Sequence, residues 1–196
     1  MNAISGTAAA RSRRTDGDGD GGGVLVDRRW LAAHLGDPHV RVVEVDVGPA
    51  AHTEWHIDGA VLWNVYGDLK DADYRTVTEA ELERLVGRSG IDAESIVVCY
   101  GCAPALGFWL LKLLGHRDVR ILDCSRDAWR ADGLPWTTAD GRPAGSGYRG
   151  RGEATRIRAD LATVRDAVGR PGARAGRAGR SHPFRRSPSA GRPVQR

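Results

Sequence analysis

The sequence predicts an α/β domain with a mainly parallel sheet flanked by helices. Short apolar runs rich in β-branched residues predict buried strands, and stretches with helical spacing lie between them. This alternation of strands and helices is typical of a parallel sheet. The composition, 41% hydrophobic and 28% charged, suits a globular protein, and 196 residues leave room for one domain of ordinary size.

The first half of the pattern begins with a short strand at residues 24–26. Asp27 can cap a helix that runs to about Leu35 and stops at Gly36. The β-branched run at residues 40–47 predicts a buried strand. Three further elements follow: a helical turn at 51–56, a strand at 60–63, and a helix opened by the capping box of Thr78 and Glu81 that ends at Val86 before Gly87.

The second half centres on a buried strand at residues 96–100. A tight turn at Gly101 and Cys102 connects it to a helix at 104–114, which begins with a proline and is closed by Gly115. This helix is apolar nearly all round, so we expect it to be buried. The remaining elements are a core strand at 119–122 and a helix that Ser125 caps, that carries Trp129 and that ends before Gly133.

Composition divides the chain into four predicted segments. Residues 1–23 combine Gly and Asp without an apolar run, which predicts a disordered leader. The folded domain covers 24–138. A linker at 139–170 contains a possible helix at 155–168, and residues 171–196, with seven Arg and no acid, predict a disordered Arg-rich tail.

The net charge of +4 is the sum of two unlike parts. Residues 151–196 hold twelve Arg and three acids, a net charge of +9, which leaves −5 for residues 1–150. The basic character belongs to the tail, so a nucleic-acid partner is not favoured. No apolar run approaches the length of a membrane span, no signal-peptide pattern occurs, and three cysteines suit a reducing compartment. We therefore expect a cytoplasmic protein without a membrane partner.

Cys102 is the strongest candidate for chemistry. Ligands of doubly wound sheets bind beyond the carboxyl ends of the strands, where Asp46, Cys102 and Cys124 all fall. Cys102 follows a strand and precedes a helix, so backbone N–H groups and the helix dipole are expected to lower its pKa. The alternative is a small residue required by a tight turn. Cys124 is explained more simply as a buried small side chain.

Other motifs support weaker hypotheses. Cys99 and Cys102 have the spacing of a redox CxxC pair, but Cys99 lies inside the apolar strand and is better explained as core. His56 precedes a strand and is better explained as a loop-fixing residue than as a catalytic base. No zinc spacing, Walker A sequence or G-x-G-x-x-G occurs, so we expect no metal and no cofactor. The first Arg after Cys102 is Arg117, which argues against a Cys-Arg phosphatase.

An ordered set of segments resembles the rhodanese (thiosulfate sulfurtransferase) family. The segments are 24–31, 41–46, 55–61 (the family's GHIPGA segment), 96–101, 107–116, 118–123, Trp129 and 135–138. They cover about 24–138 and resemble most closely the first half of tandem two-domain sulfurtransferases. In that comparison the chain is one half plus a tail, and the missing second half is the one that usually carries the reactive cysteine.

The resemblance implies sulfur transfer in two displacements. A cysteine takes sulfur from thiosulfate or a similar small molecule as a persulfide, and a thiol or cyanide then removes it. The family's cysteine position aligns with Gly101, so Cys102 is one residue late, in a loop that is shorter and lacks the family's Arg. Asp46 and His56 match loop-organising positions. Three hypotheses stay open. The first is a sulfurtransferase with Cys102 as the sulfur carrier, and the second is an inactive module that binds, regulates or derives from a truncated tandem enzyme. The third is a dithiol switch.

Overall fold

A five-stranded parallel sheet lies at the centre of the computed structural model, which describes residues 23–141, 143–152, 157–159 and 161–168. The strands are β1 (Leu25–Val26), β2 (Val40–Asp46), β3 (His56–Ile57), β4 (Val61–Asn64), β5 (Ile96–Gly101), β6 (Asp118–Leu122) and β7 (Trp136–Thr137). The order in the sheet is β1-β6-β5-β2-β4, and β3 pairs antiparallel with β7. The predicted α/β fold is confirmed.

Three of the described helices, α1, α3 and α5, begin at the capping side chains that the sequence indicates. They are α1 (Arg28–His34), α2 (Ala50–Glu54), α3 (Glu79–Arg88), α4 (Pro104–Leu113), α5 (Arg126–Ala131) and α6 (Leu161–Val168). Asp27 Oδ1 accepts two N–H groups of the first turn of α1, each at 2.8 Å. Thr78 and Glu81 form the capping box of α3, and Ser125 accepts an N–H of α5. These side chains satisfy N–H groups that have no partner within the helix.

Two hydrophobic clusters fill the two faces of the sheet. Alternate residues of β5 point to opposite sides, as the pleat requires. Val97 and Cys99 pack with residues of α3 and α4. Val98 and Tyr100 pack with residues of α1 and α5. Three tryptophans, Trp55, Trp63 and Trp129, are buried, whereas Trp136 is 43% exposed.

The predicted end of α3 before Gly87 is wrong, because the helix continues to Arg88. Gly87 serves close packing: a Cβ there would lie 2.7 Å from the carbonyl oxygen of Ser146. The N–H of Ser146 donates to the Gly87 carbonyl at 2.8 Å. The helix is followed instead by Gly90, whose φ of +69° is in the region that favours glycine.

The predicted helical turn at 51–56 is also corrected. Helix α2 ends at Glu54, and His56 lies in the extended strand β3. This strand pairs His56 with Thr137 and Ile57 with Trp136. A strand of two residues shows no alternation that a sequence pattern could detect.

The chain beyond the predicted boundary at 138 packs against the domain. Tyr148 is buried, and its hydroxyl lies 3.2 Å from Nδ1 of His116. The other ring nitrogen, Nε2, lies 2.9 Å from the Ser95 carbonyl and donates to it. The N–H of Gly150 donates to Glu83 at 2.6 Å. These contacts belong to one compact unit that ends at Arg158, and the boundary at 138 stays a prediction.

Helix α6 lies in a second unit that begins at Ala159, and none of its residues is buried. It falls within the helix predicted at 155–168, of which residues 155, 156 and 160 lie outside the described part. The predicted leader, except Gly23, and the predicted tail also lie outside the described residues.

Lowering the pH from about 7 to about 5 is expected to reduce stability through His116. Burial lowers the pKa of His116, so the unfolded chain takes up a proton before the folded one does. The neutral histidine's contribution is complete above the unfolded pKa of about 6.5 and is lost as the pH falls toward the folded pKa. The expected loss is at most about 1.4 kcal/mol per pH unit. Urea unfolding across this range measures it.

The variant H116Q is the control. Its amide can donate to the Ser95 carbonyl and accept from Tyr148, but it does not titrate. Its free energy of unfolding should depend less on pH over the same range. An equal pH dependence in H116Q and the wild type would contradict the assignment to His116.

Candidate functional site

The candidate site lies where β2 and β5 end side by side. Their register pairs Val45 with Gly101, so Asp46, the last residue of β2, lies next to Cys102, the first residue after β5. The N–H of Ala103 then donates to the Val45 carbonyl at 3.0 Å. Only Cys102 and Ala103 separate β5 from α4, so the turn is short and held closely to β2.

Gly101 makes this turn possible. Its φ is +107°, a conformation that residues with a side chain rarely adopt. A Cβ at this position would lie 2.6 Å from the carbonyl oxygen of Val45. The predicted tight turn is present, and it requires glycine for both its conformation and its space.

The Cys102 thiol is exposed and lies beside a carboxylate. Partial burial raises its pKa, and a hydrogen bond from the thiol to Asp46 raises it further. The N–H groups of Val47 and of Cys102 itself act in the opposite direction. The N–H of Val47 also donates to Asp46 Oδ1 at 2.7 Å, which fixes the carboxylate.

The expectation that the start of α4 lowers the pKa of Cys102 is therefore wrong. The first residue of α4 is Pro104, which has no N–H to direct at the thiol. The N–H of Ala103 is bonded to the Val45 carbonyl. The charge beside the thiol is the negative one of Asp46, and a thiolate is stabilised by positive neighbours.

The other two cysteines occupy different surroundings. Cys99 is fully buried, its sulfur faces Gly107 of α4, and burial raises its pKa to about 12. Cys124 is partly exposed, and its thiol donates to the Ser125 carbonyl at 3.2 Å. All three cysteines are free. A buried thiol with a high pKa is a poor partner for exchange, which counts against a Cys99–Cys102 redox switch.

A buried polar cluster around Glu44, which sequence reasoning missed, lies next to the site on the same strand. Glu44 is fully buried, and its Oε2 accepts from His52 Nδ1 and from the Tyr100 hydroxyl, each at 2.7 Å. Its Oε1 accepts from the guanidinium of Arg126. Arg126 also donates to the Trp55 carbonyl at 2.7 Å and lies 4.2 Å over that ring. The available signal was Glu44, an acid in the interior of the β-branched run at 40–47.

His56 joins this cluster. It is buried, its Nδ1 lies 2.8 Å from the His52 carbonyl, and its Nε2 lies 3.2 Å from the Ala139 carbonyl. Its ring stacks on His52 with the centroids 3.8 Å apart. The Tyr100 hydroxyl accepts the N–H of Ile57, the residue after His56. Burial and the neighbouring Glu44 raise the pKa of Tyr100, so its hydroxyl stays protonated. The structure thus brings Asp46, Gly101 and Cys102 together, whereas His56 contacts backbone carbonyls.

The described residues contain no group of three or more His, Cys, Asp or Glu side chains that could hold a metal ion. No helix among them combines the length and the apolar character that crossing a membrane requires.

Comparison with known proteins finds a matching family model and similar sequences. The family model described as "Rhodanese-like domain" matches residues 27–132. The sulfur carrier protein TtuD of Thermus thermophilus is 38% identical over 120 residues, which cover 59% of this chain and 42% of TtuD. A putative thiosulfate sulfurtransferase of Haloferax volcanii is 35% identical over 155 residues, which cover 74% of this chain and 54% of that protein. The chain spans about half the length of these curated relatives.

Solved structures share the fold. SseA from Escherichia coli, described under 3-mercaptopyruvate sulfotransferases with the "Rhodanese" fold, has a TM-score of 0.60 at 17% identity, over 66% of this chain and 56% of that one. An anaerobic ergothioneine biosynthesis enzyme from Chlorobium limicola has a TM-score of 0.66 at 18% identity, over 74% of this chain and 41% of that one. At these identities the likeness concerns the fold alone.

Replacing Gly101 with alanine should destabilise the protein by about 3 kcal/mol, because the new Cβ meets the Val45 carbonyl and φ is positive. Gly59 provides a matched control: its φ is +74°, but nothing lies within 4 Å of a Cβ there. G59A should therefore lose only about 1 kcal/mol. Urea unfolding measures both variants, and equal losses would contradict the close approach of β2 to the turn.

The variant E44Q should lose about 3 to 5 kcal/mol of stability, because the guanidinium of Arg126 stays partly buried without its counter-charge. Glu54 offers a comparison, since it lies 4.0 Å from Arg130 in an exposed pair. E54Q should change stability little. Thermal unfolding of both variants tests this, and a tolerated E44Q would show that the cluster does not hold the fold.

Proposed function

The chain belongs to the family of rhodanese-like domains, and we propose that it is a sulfurtransferase domain of the rhodanese type in which Cys102 carries the sulfur. Relatives named as a sulfur carrier protein and as a putative thiosulfate sulfurtransferase support this activity. The observation that carries the proposal is the exposed thiol of Cys102 at the carboxyl end of the central strand β5.

The proposed chemistry consists of two displacements at sulfur. The Cys102 thiolate attacks the outer sulfur of thiosulfate or a similar donor, the S–S bond of the donor breaks, and sulfite leaves with the electron pair. Cys102 is then a persulfide. A thiolate or cyanide next attacks the outer sulfur of that persulfide, and the thiolate of Cys102 is restored. Both steps exchange sulfur between nucleophiles, and neither needs a bound cofactor.

A second candidate function is that of a non-catalytic module, which binds, regulates or forms half of a tandem enzyme. The raised pKa of the Cys102 thiol favours this reading, because less thiolate is present at neutral pH. The short turn also supports it, since Ala103 donates to Val45 and Pro104 has no N–H to offer an anion.

The proposed surroundings are those of a cytoplasmic protein that acts on small molecules. Three free thiols suit a reducing compartment. Residues 1–150 carry a net charge of −5, which does not favour a nucleic-acid partner.

Persulfide formation on Cys102 tests the proposal. The wild type is incubated separately with thiosulfate and with an alkyl persulfide, and intact mass is then measured. The protein should gain the mass of one sulfur atom, and a reducing thiol should remove it. C124S should gain the same mass, whereas C102S should gain none, because Cys99 is buried.

The two candidate functions give different results in this experiment. A protein that gains no sulfur from either donor would favour the non-catalytic module. A gain in mass that persists in C102S and disappears in C124S would assign the sulfur to Cys124. It would contradict the proposed role of Cys102.

A further inference from the structure

The carboxylate of Asp46 lies next to the exposed thiol of Cys102. The register of β2 and β5 places the two residues on adjacent strand ends, and the thiol hydrogen-bonds to Asp46. The N–H of Val47 holds the carboxylate at 2.7 Å. These two hydrogen bonds keep the negative charge of Asp46 beside the thiol.

A second carboxylate lies at the same edge of the sheet. Strand β6 pairs with β5 on the side away from β2, and the exposed Asp123 follows its last residue. Of the nearby N–H groups, those of Val47 and Cys102 act on the thiol, whereas that of Ala103 is bonded to Val45 and Pro104 has none. A carboxylate thus stands at the end of each strand that flanks β5, and Asp46 is the one to which the thiol hydrogen-bonds.

We propose that Asp46 is a specificity-determining residue, which disfavours anionic sulfur donors such as thiosulfate and favours donors that are neutral at the reacting end, such as a protonated alkyl persulfide. This inference rests on the proposed function of Cys102. Like charges in contact repel even in water, and the repulsion doubles for a dianion. A neutral donor escapes this penalty.

The favoured reaction balances without a further reactant. The Cys102 thiolate attacks the outer sulfur of the persulfide RS–SH, and a new S–S bond forms. The original S–S bond breaks, and RS⁻ leaves with the electron pair. Cys102 then carries the –SH group as its own persulfide, and the leaving thiolate takes a proton from water.

Charge selection is measured with three disulfide probes that react with the thiol whether or not it transfers sulfur. They are the dianion dithiobis-nitrobenzoate, neutral dithiodipyridine and the dication cystamine. A C124S background leaves Cys102 as the accessible thiol, because Cys99 is buried. The ratio of the rate constants for the dianion and the neutral probe cancels any change in the amount of thiolate.

The variant D46N should raise this ratio about tenfold at low ionic strength, and it should lower the corresponding ratio for the dication. Asparagine keeps an oxygen that accepts the N–H of Val47, so the turn is preserved. The control E94Q removes one exposed carboxylate at the opposite end of β5, roughly 20 Å away, and should change the ratio less than about twofold.

Salt provides a test that needs no variant of Asp46. In the C124S protein, added salt should speed the dianion and slow the dication, because screening weakens both interactions. Equal ratios in D46N and its parent, or rates that salt does not alter, would overturn the inference. Charge selection without persulfide formation would instead retain the role of Asp46 and reject the proposed function.

Discussion

The arrangement of chain segments at the carboxyl end of the sheet depends on the hydrogen bonds of the buried Glu44 carboxylate. A buried charge is costly unless neighbouring groups pair with it and donate to it. Glu44 receives donors from His52, Tyr100 and Arg126, which lie on α2, β5 and α5. Because these elements are far apart in the sequence, satisfying one carboxylate fixes their positions together. Arg126 also donates to the carbonyl of Trp55, the residue before β3, and so fixes the start of that strand.

The reactive end of the site follows from how closely β5 approaches β2. Gly101 allows its backbone to lie against the Val45 carbonyl, and Ala103 is bonded to the same oxygen. This contact sets Cys102 beside Asp46 and uses the N–H of Ala103, which could have stabilised an anion. The exposed thiol is therefore placed for access, while its surroundings disfavour the thiolate. The access supports the proposal of a sulfur carrier with selective donors, and the disfavoured thiolate supports that of a non-catalytic module.

The fold could be predicted from the sequence because buried parallel strands and helix caps leave local patterns, as at Asp27 and Ser125. The turn at Gly101 could also be predicted, because a glycine stands between a buried strand and a helix that begins with a proline. The Glu44 cluster could not be derived, because its partners meet only in three dimensions. The pKa of Cys102 was predicted in the wrong direction, since position before a helix says nothing about which N–H groups are already bonded. Two-residue strands such as β3 leave no pattern.

The pKa of the Cys102 thiol shows whether Asp46 governs the reactivity of this thiol. The rate of alkylation by neutral iodoacetamide, measured against pH in the C124S background, gives this pKa with and without D46N. We expect a pKa above the ordinary value of about 8.5 in the parent protein and a lower pKa in D46N. A parent pKa below the ordinary value, or the same pKa in both proteins, would contradict it.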